Sequence, residues 1–256
     1  LEAQLRGAVG RDEFRLRFQP IVSLTDERLT AVEALVRWEH PTRGAIPPTA
    51  FIPLAEESGM IPEIGRWVLT ESCRQLVAWD QQFGAGGPGV DYISVNVSAA
   101  ELRDPAYVER VAQVLQETGT DPTRLQLEIT ESLIIEEGHE SLDRLNALKE
   151  LGIRLAIDDF GTGYSSLSYL TRMPVDILKV DRSFVGRMLD SERVASVVRA
   201  TISLAHALDL RVVAEGVETV EQQQVLRELG CELAQGYLYA RPLTAEGVVT
   251  YLDECC

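Results

Sequence analysis

Zinc ligands are scarce in this sequence. Its 256 residues include three histidines and four cysteines. The histidines are far apart and no two cysteines have C-x-x-C spacing, which argues against a zinc site or a redox motif. So few cysteines suit a reducing compartment, and we expect a cytoplasmic location. We expect Cys73 and Cys231 to be core residues and His206 to be structural, and we assign no purpose to the last pair, Cys255 and Cys256.

Basic residues are also few. The chain has 24 Lys and Arg against 40 Asp and Glu, a formal net charge of −16. Binding to DNA, RNA or an acidic membrane surface needs clustered Lys and Arg, so those partners are not expected. An anionic ligand would need metal ions to mediate its binding.

Long apolar runs, a signal-peptide pattern and an initiator Met are all absent. No run reaches the roughly 18 residues of a membrane span, so we expect no direct membrane insertion by this segment. We expect residues 1–256 to be a single domain cut from a longer protein. Hydrophobic residues make up 45% of the chain, enough for a full core.

Eight apolar stretches rich in β-favouring residues predict strands. The short turn at Asp26 and Glu27 predicts that the first two form a hairpin. The predicted strands are Phe14–Leu24, Leu29–Trp38, Tyr92–Val97, Leu125–Thr130, Arg154–Asp158, Ile177–Val180, Arg211–Ala214 and Cys231–Gln235.

Helical periodicity fills the spaces between these strands, while Pro41–Pro48 and the Gly-rich Gly84–Gly89 are predicted as loop and linker. The predicted helices are Ile61–Phe83, Tyr107–Glu117, Ser141–Leu151, Ser165–Arg172, Glu192–Leu208, Val220–Leu229 and Thr244–Leu252. Alternating strands and helices predict parallel βαβ units. Eight strands in about 250 residues favour a closed (β/α)8 TIM-like barrel, with an antiparallel first strand. No G-x-G-x-x-G follows the first strand, which weakens the alternative of an open dinucleotide-binding sheet.

Polar side chains occur near the carboxyl end of almost every predicted strand, where barrel enzymes place their active sites. An isolated Asp158–Asp159 pair would be explained equally well by an N-cap beside a solvated acid. Acids on five strands, however, would repel one another, so a cation is expected among them. The residues are Glu33, Asn96, Glu128, Asp158, Asp159, Lys179, Asp181, Glu215 and Gln235.

Carboxylates and an amide oxygen, without Cys or His, suit Mg²⁺ or Mn²⁺. So many acids could hold two ions bridged by a shared Asp, an arrangement used for phosphodiester hydrolysis. Lys179 would hold or polarise the attacking water, and Arg37 would face a phosphate oxygen.

Several motifs resemble the EAL domains, the bacterial cyclic di-GMP phosphodiesterases. Glu33-Ala34-Leu35 is the motif that gives the family its name, and the other motifs keep the family order along almost the whole chain. They are Gln19-Pro20-Ile21, Ser94 to Ser98, Glu128 to Glu131, Asp158 to Leu167, Lys179 to Asp181, Ala214 to Thr219 and Gln235 to Tyr237.

The resemblance implies hydrolysis of cyclic di-GMP to linear pGpG with Mg²⁺ or Mn²⁺. It implies one ion held by Glu33, Asn96, Glu128 and Asp158, and a second held by Asp158, Asp159 and Glu215. Lys179 resembles the water-positioning lysine, with Asp181 and Gln235 around it, and Gln19, Arg37 and Gln235 are candidate substrate-binding residues.

Glu131 resembles the acid that anchors the Asp159–Ser166 loop, through which the family couples metal binding to dimerisation. A homodimer is therefore expected. Two alternatives remain open: a catalytically silent cyclic di-GMP receptor, whose usual mark is a lost ligand, and a barrel enzyme for another phosphodiester.

Overall fold

A computed structural model describes residues 1–84, 89–130, 139–161 and 170–255 of the chain. Its strands are β1 (Phe14–Ser23), β2 (Leu29–His40), β3 (Gly44–Ile46), β4 (Tyr92–Asn96), β5 (Leu125–Thr130), β6 (Arg154–Phe160), β7 (Ile177–Val180), β8 (Arg211–Ala214) and β9 (Leu233–Gln235).

Helices lie between the strands. They are α1 (Glu2–Leu5), α2 (Pro48–Glu57), α3 (Ile61–Phe83), α4 (Ala99–Arg103), α5 (Tyr107–Thr118), α6 (His139–Glu150), α7 (Arg182–Val185), α8 (Glu192–Ala207), α9 (Val220–Glu228) and α10 (Ala245–Cys255). None of these described helices combines the length and the apolar composition that crossing a bilayer would require.

Eight of the strands close into a barrel, as the sequence predicts. From β2 the order runs through β4, β5, β6, β7, β8 and β9, and β1 joins β9 back to β2. Neighbours from β2 to β9 are parallel, whereas β1 is antiparallel to both β2 and β9. The predicted antiparallel first strand is therefore confirmed.

The antiparallel strand follows from a short connection. Between β1 and β2 the chain reverses within a few residues, and Ser23 N donates to Arg28 O at 2.9 Å. Glu27 takes a positive φ of 61° to make this turn. Because no helix fits into so short a connection, the two strands can only pair antiparallel. Their register places Gln19 opposite Glu33.

The predicted loop at Pro41–Pro48 is wrong in part. It contains β3, which pairs with β2, and α2 begins at its last proline. Pro48 is tolerated there because N–H groups in the first turn of a helix have no acceptor within the helix, so the missing N–H of proline costs no hydrogen bond. The short helix α4 was also not predicted, although Ser98 and Glu101 form a capping box at its start.

Some predicted boundaries shift and some fall outside the described residues. Strand β6 continues two residues beyond Asp158 to Phe160, and β9 begins at Leu233 rather than Cys231. Most of the predicted helix Ser165–Arg172 lies outside the described residues, as do Cys256 and most of the Gly84–Gly89 linker.

Apolar residues fill the amino-terminal half of the barrel interior. They form a buried cluster separate from the larger core between barrel and helices, and its members are Ile21, Ala31, Tyr92, Ala156, Ile177, Val213 and Leu233. Cys73 and Cys231 are buried in the larger core, as predicted. This apolar layer is the floor on which the polar side chains of the carboxyl end stand.

Candidate active site

Strand alternation positions the polar side chains. Residues two positions along a strand point to the same side. Six strands therefore place a polar residue directly above the apolar floor, with Glu33 following Ala31 and Lys179 following Ile177. The corresponding residues of the other strands are Ser94, Asp158, Glu215 and Gln235.

Lys179 lies at the centre of the acidic residues and is 1% exposed. Its Nζ is 2.6 Å from Glu128 Oε2 and 2.7 Å from Glu215 Oε1. Asp158 Oδ1 is 3.1 Å away and Glu33 Oε2 is 3.6 Å away. Burial lowers the pKa of Lys179, but the charges of these four carboxylates outweigh it and hold that pKa well above its usual range. The ammonium therefore stays protonated.

Two amide side chains hold Glu33. Asn96 Nδ2 donates to Glu33 Oε1 at 2.7 Å, and Gln235 Nε2 donates to Glu33 Oε2 at 2.9 Å. Burial alone would raise the pKa of Glu33, but the charge of Lys179 and these hydrogen bonds leave it below its ordinary value. Glu33 is thus an ionised carboxylate with both oxygens fixed in direction.

The charges of Glu128 and Glu215 are less completely neutralised than that of Glu33. Burial and the charge of Glu33 raise the pKa of Glu128 well above its usual range, against the attraction of Lys179. Burial also raises the pKa of Glu215 to about 8, with a further increase from Asp158. One ammonium is too little charge for this many acids.

Asp159 stands at an irregular point of the barrel. The pairing of β6 with β7 shifts register between Ile157 and Phe160, and Asp159 has a positive φ of 55°. Its N–H donates to Asp158 Oδ1 at 3.0 Å. Asp is one of the few non-glycine residues that tolerate this conformation, because its short side chain bonds locally. The irregularity turns two consecutive acids toward the same rim.

The acidic cluster, here Glu33, Glu128, Asp158, Asp159 and Glu215 around Lys179, fits a metal ion. One carboxylate oxygen from each of Asp158, Asp159 and Glu215 lies within 4.8 Å of the others. Burial and the charge of Asp158 raise the pKa of Asp159 as well. Gln235 Oε1 is buried with no partner among the described residues. Acceptor oxygens that the protein leaves under-neutralised are the donors that hard divalent cations prefer.

Three predicted residues have other contacts. Gln19 Nε2 donates to Ala240 O at 2.6 Å and so holds the segment after β9. Arg37 Nη1 donates to Val36 O at 2.9 Å rather than to the cluster. Asp181 caps α7, since its Oδ1 accepts from Ser183 N at 3.0 Å, and its charge contributes to the raised pKa of Asp159. Glu131 lies outside the described residues.

Sequence reasoning missed Ser94 and Gln126. Both are fully buried inside the barrel. Ser94 Oγ donates to Glu128 Oε1 at 2.6 Å, whereas Gln126 Nε2 is 3.5 Å from that oxygen, at the outer limit for a hydrogen bond. The signal was available: Ser94 stands two positions before Asn96, and Gln126 two before Glu128, so period-2 alternation places them below those residues on the same inner face.

A cavity of about 600 Å³ opens beside the cluster, between β2 and helices α2 and α3. Its walls are mostly apolar, and Arg37, Asn96 and Asp159 line the polar side. The apolar wall consists mainly of Leu35, Ile52, Pro53, Ile64 and Val68. An apolar cleft with a few polar groups at one end is the usual form of a small-molecule site.

A closed barrel with a partly buried acidic cluster at the carboxyl ends of its strands is the architecture of a barrel enzyme. The EAL domain family model matches residues 2–242. The chain belongs to the EAL domain family, as the motifs indicate.

Curated relatives match nearly the whole chain. Cyclic di-GMP phosphodiesterase NbdA from Pseudomonas aeruginosa is 43% identical over 252 residues, which cover 98% of this chain and 32% of that protein. Oxygen sensor protein DosP from Escherichia coli is 42% identical over 253 residues, 99% of this chain and 31% of that protein. The chain thus spans about a third of the length of the curated relatives it matches.

Solved structures share the fold. The PaMucR phosphodiesterase in complex with c-di-GMP superposes with a TM-score of 0.90 at 43% identity, covering 95% of this chain and 97% of that chain. The FimX EAL domain from Pseudomonas aeruginosa bound to c-di-GMP gives a TM-score of 0.84 at 26% identity, covering 94% of this chain and 95% of that one.

Proposed function

We propose that this chain hydrolyses one phosphodiester bond of cyclic di-GMP, giving linear pGpG, with the help of Mg²⁺ or Mn²⁺. The observation that carries the proposal is the acidic cluster. Four carboxylates of the implied ligand set lie within 3.6 Å of Lys179 Nζ, and Asn96 is hydrogen-bonded to one of them, Glu33. Asp159 has a carboxylate oxygen within 4.8 Å of those of Asp158 and Glu215. Two relatives support the proposal as well: NbdA is a cyclic di-GMP phosphodiesterase, and MucR is a bifunctional diguanylate cyclase and cyclic di-GMP phosphodiesterase.

The ligands divide into two groups. Glu33, Asn96, Glu128 and Asp158 would hold one ion, and Asp158, Asp159 and Glu215 a second. Asn96 donates to Glu33 through its amide nitrogen, so its amide oxygen is the ligand atom. Ions bound there would supply positive charge that stabilises the negative charge developing on the phosphate.

Lys179 would position the attacking water by donating from Nζ. Its raised pKa keeps it protonated, so it acts as a hydrogen-bond donor and not as a general base. Its three protons are directed at carboxylates 2.6 to 3.1 Å away, and the water would replace one of these acceptors. Gln235 supports this arrangement, because its amide donates to both Glu33 and Glu215 at 2.9 Å.

The cavity beside the cluster would hold a guanine base. Its apolar walls suit a planar ring, and Arg37 stands at its rim, where a guanidinium can donate to a phosphate oxygen. Burial and the charge of Arg17 lower the pKa of Arg37 relative to that of a free guanidinium. Arg37 nonetheless remains charged at neutral pH. Gln19 would act from a distance, by fixing the segment that begins after Gln235.

The central experiment is incubation of the purified chain with cyclic di-GMP and Mn²⁺ or Mg²⁺, with products separated by chromatography. Conversion to pGpG that stops in EDTA is expected. Calcium prefers longer bonds and more ligands than Mg²⁺, so Ca²⁺ alone should support little turnover. Binding of cyclic di-GMP without any product would favour the silent receptor instead. Hydrolysis of a generic diester such as bis(p-nitrophenyl) phosphate, with no reaction of cyclic di-GMP, would favour another barrel phosphodiesterase.

A homodimer coupled to this site belongs to the same proposal, and the family resemblance supports it. The coupling would run through Glu131 and the loop that starts at Asp159, most of which lies outside the described residues. Glu131→Ala should weaken dimerisation or metal binding, measured by sedimentation velocity with and without Mn²⁺. Wild-type behaviour in both would leave Glu131 without a role in dimerisation or metal binding.

A further inference from the structure

Beneath the acidic cluster lies a chain of hydrogen bonds that the proposed reaction does not use. Gln126 Nε2 donates to Ser94 Oγ at 2.8 Å, and Ser94 Oγ donates to Glu128 Oε1 at 2.6 Å. The other oxygen of Glu128 accepts from Lys179 Nζ at 2.6 Å. All four side chains are at most 1% exposed.

The direction of this chain of bonds is fixed by chemistry. As a metal ligand, Glu128 is deprotonated and its carboxylate can only accept, and a serine hydroxyl has a single proton. Since Ser94 donates its only O–H hydrogen bond to Glu128, the Ser94 oxygen can only accept from Gln126. Gln126 must therefore present its NH₂ group to Ser94, and its carbonyl oxygen points elsewhere. That oxygen has no partner among the described residues.

This arrangement is a poor way to stabilise a barrel. Ser94 and Gln126 lie just above an apolar floor, where a pair of aliphatic residues would pack without desolvating polar groups. The unpartnered Gln126 oxygen adds a further cost, because a half-satisfied polar network is worse than an apolar core. The neighbouring Tyr92 hydroxyl is likewise buried with no partner in the described chain. The polar pair therefore has a use other than packing.

We infer that Ser94 and Gln126 are positioning residues that fix the rotation of the Glu128 carboxylate. Ser94 holds Oε1 toward β4, so that Oε2 faces Lys179 and the interior of the cluster, and Gln126 holds Ser94 in the rotamer that does this. The pairing of strands β4 and β5 allows these contacts, because Ser94 lies opposite Gln126 in the parallel register and both side chains point inward. The inference rests on the proposed metal-dependent hydrolysis, in which Glu128 is a ligand.

The test measures Mn²⁺ affinity by calorimetry on protein stripped of metal, together with melting temperature in EDTA. Ser94→Ala should weaken Mn²⁺ binding by about tenfold or more, the usual effect of removing a partner behind a metal ligand. Gln126→Met should weaken it less, and should not lower the melting temperature in EDTA, because removal of a buried oxygen that has no partner offsets the lost hydrogen bond to Ser94. A role in structure alone would give the opposite pattern, with lower stability and unchanged affinity.

Ser72→Ala is the matched control. Ser72 is also fully buried, and its hydroxyl has no partner among the described residues, but it lies on α3 outside the barrel. This control should bind Mn²⁺ as the wild type does.

A double variant tests whether Gln126 acts on Glu128 through Ser94, an indirect action that we call the relay. If Gln126 acts only by holding Ser94, then Ser94→Ala with Gln126→Met should bind Mn²⁺ no more weakly than Ser94→Ala alone. Additive losses would overturn the relay. Suppose that the wild type binds Mn²⁺ and hydrolyses cyclic di-GMP, but that Ser94→Ala binds Mn²⁺ with unchanged affinity. That result would overturn the inference and leave the proposed function standing. A wild-type protein that does neither would end both.

Discussion

Lys179 decides much of the electrostatics of the site. Sequence reasoning assigned it to a water molecule, and in the structure its Nζ contacts four carboxylates at 2.6 to 3.6 Å. Removing the charged partner of buried ions typically costs about 3–5 kcal/mol, because the remaining charges stay desolvated and unpaired. Lys179 thus holds the acids together in the metal-free protein, in addition to its proposed role toward water.

The first prediction separates these two roles. Lys179→Met should lower the melting temperature in EDTA, because it removes the ammonium at nearly the same length of side chain. Added Mn²⁺ should recover much of this loss, since divalent ions would neutralise the same acids. Turnover at saturating substrate should remain far below wild type, with a smaller change in KM. A variant that changes KM alone would make Lys179 a phosphate-binding residue.

The second prediction concerns Glu33. Its two oxygens are held by Asn96 and Gln235, and Glu39, the other acid of β2, is paired with Arg17 instead. Glu33→Ala should abolish hydrolysis, with loss of several kcal/mol of transition-state stabilisation. Steady-state kinetics with Mn²⁺ would check this. Retention of more than about a tenth of wild-type kcat would contradict the ligand assignment.

At the scale of elements, the turns after β8 and β9 place Glu215 and Gln235. The two segments lie backbone against backbone: Val217 N donates to Gln235 O at 3.1 Å, and Leu238 N donates to Val217 O at 3.0 Å. Gly236 makes this approach possible, because a Cβ there would lie 2.1 Å from Val217 O and 2.3 Å from Val217 N. The positions of Glu215 and Gln235 therefore depend on the lack of a side chain at Gly236.

Gly236→Ala should separate these segments. The expected cost is about 1–3 kcal/mol of stability from overpacking against backbone that cannot rotate away. Displacement of Gln235 should also lower kcat, since a shift of about 1 Å can cost on the order of 100-fold in rate. Gly10→Ala is the control, because its Cβ would meet only Gly7 O at 3.6 Å and its φ is not positive. A Gly236→Ala variant with wild-type melting temperature and rate would contradict the close approach.

At the scale of the whole molecule, the acidic cluster makes the metal-free barrel sensitive to pH. The pKa of Glu215 is about 8 in the folded chain, against 4.5 for an ordinary glutamate. The folded state therefore binds this proton more tightly than the unfolded state does. The stability that this proton contributes is fully present below pH 4.5 and is lost as the pH rises through about 8. In EDTA, the wild-type melting temperature should fall across this range more steeply than that of Glu215→Gln. Equally steep curves would refute the assignment.

Asp158→Asn tests the repulsion directly. Asp158 raises the pKa of Glu128, Asp159 and Glu215, so its charge destabilises three neighbours. The variant loses a 3.1 Å contact with Lys179, which keeps its closer contacts with Glu128 and Glu215. We expect a higher melting temperature in EDTA at pH 8 and loss of the stabilisation that Mn²⁺ gives the wild type. A lower melting temperature in EDTA would mean that the attraction to Lys179 outweighs the repulsion.

Much of the fold could be predicted because its signals are local. Apolar alternation located the eight barrel strands, and a two-residue turn predicted the antiparallel β1. Helix α2 was missed because its first residue, Pro48, is read as a loop signal, although the first turn of a helix accepts proline. Polar residues at strand ends were found for the same local reason, since the barrel brings all carboxyl ends to one rim.

The contacts between those residues could not be predicted from local signals. Gln235 donates to Glu33 across 202 positions of sequence, and only closure of the barrel between β9, β1 and β2 brings them within 2.9 Å. The same closure leaves Lys179 among four acids, whereas Ser94 and Gln126 reach Glu128 through the register of the adjacent strands β4 and β5. The sequence by itself determined which residues face the barrel interior, because side-chain direction follows from strand period alone. The tertiary structure decided which of them touch, because contact depends on strand order, register and closure, which link positions far apart in the chain.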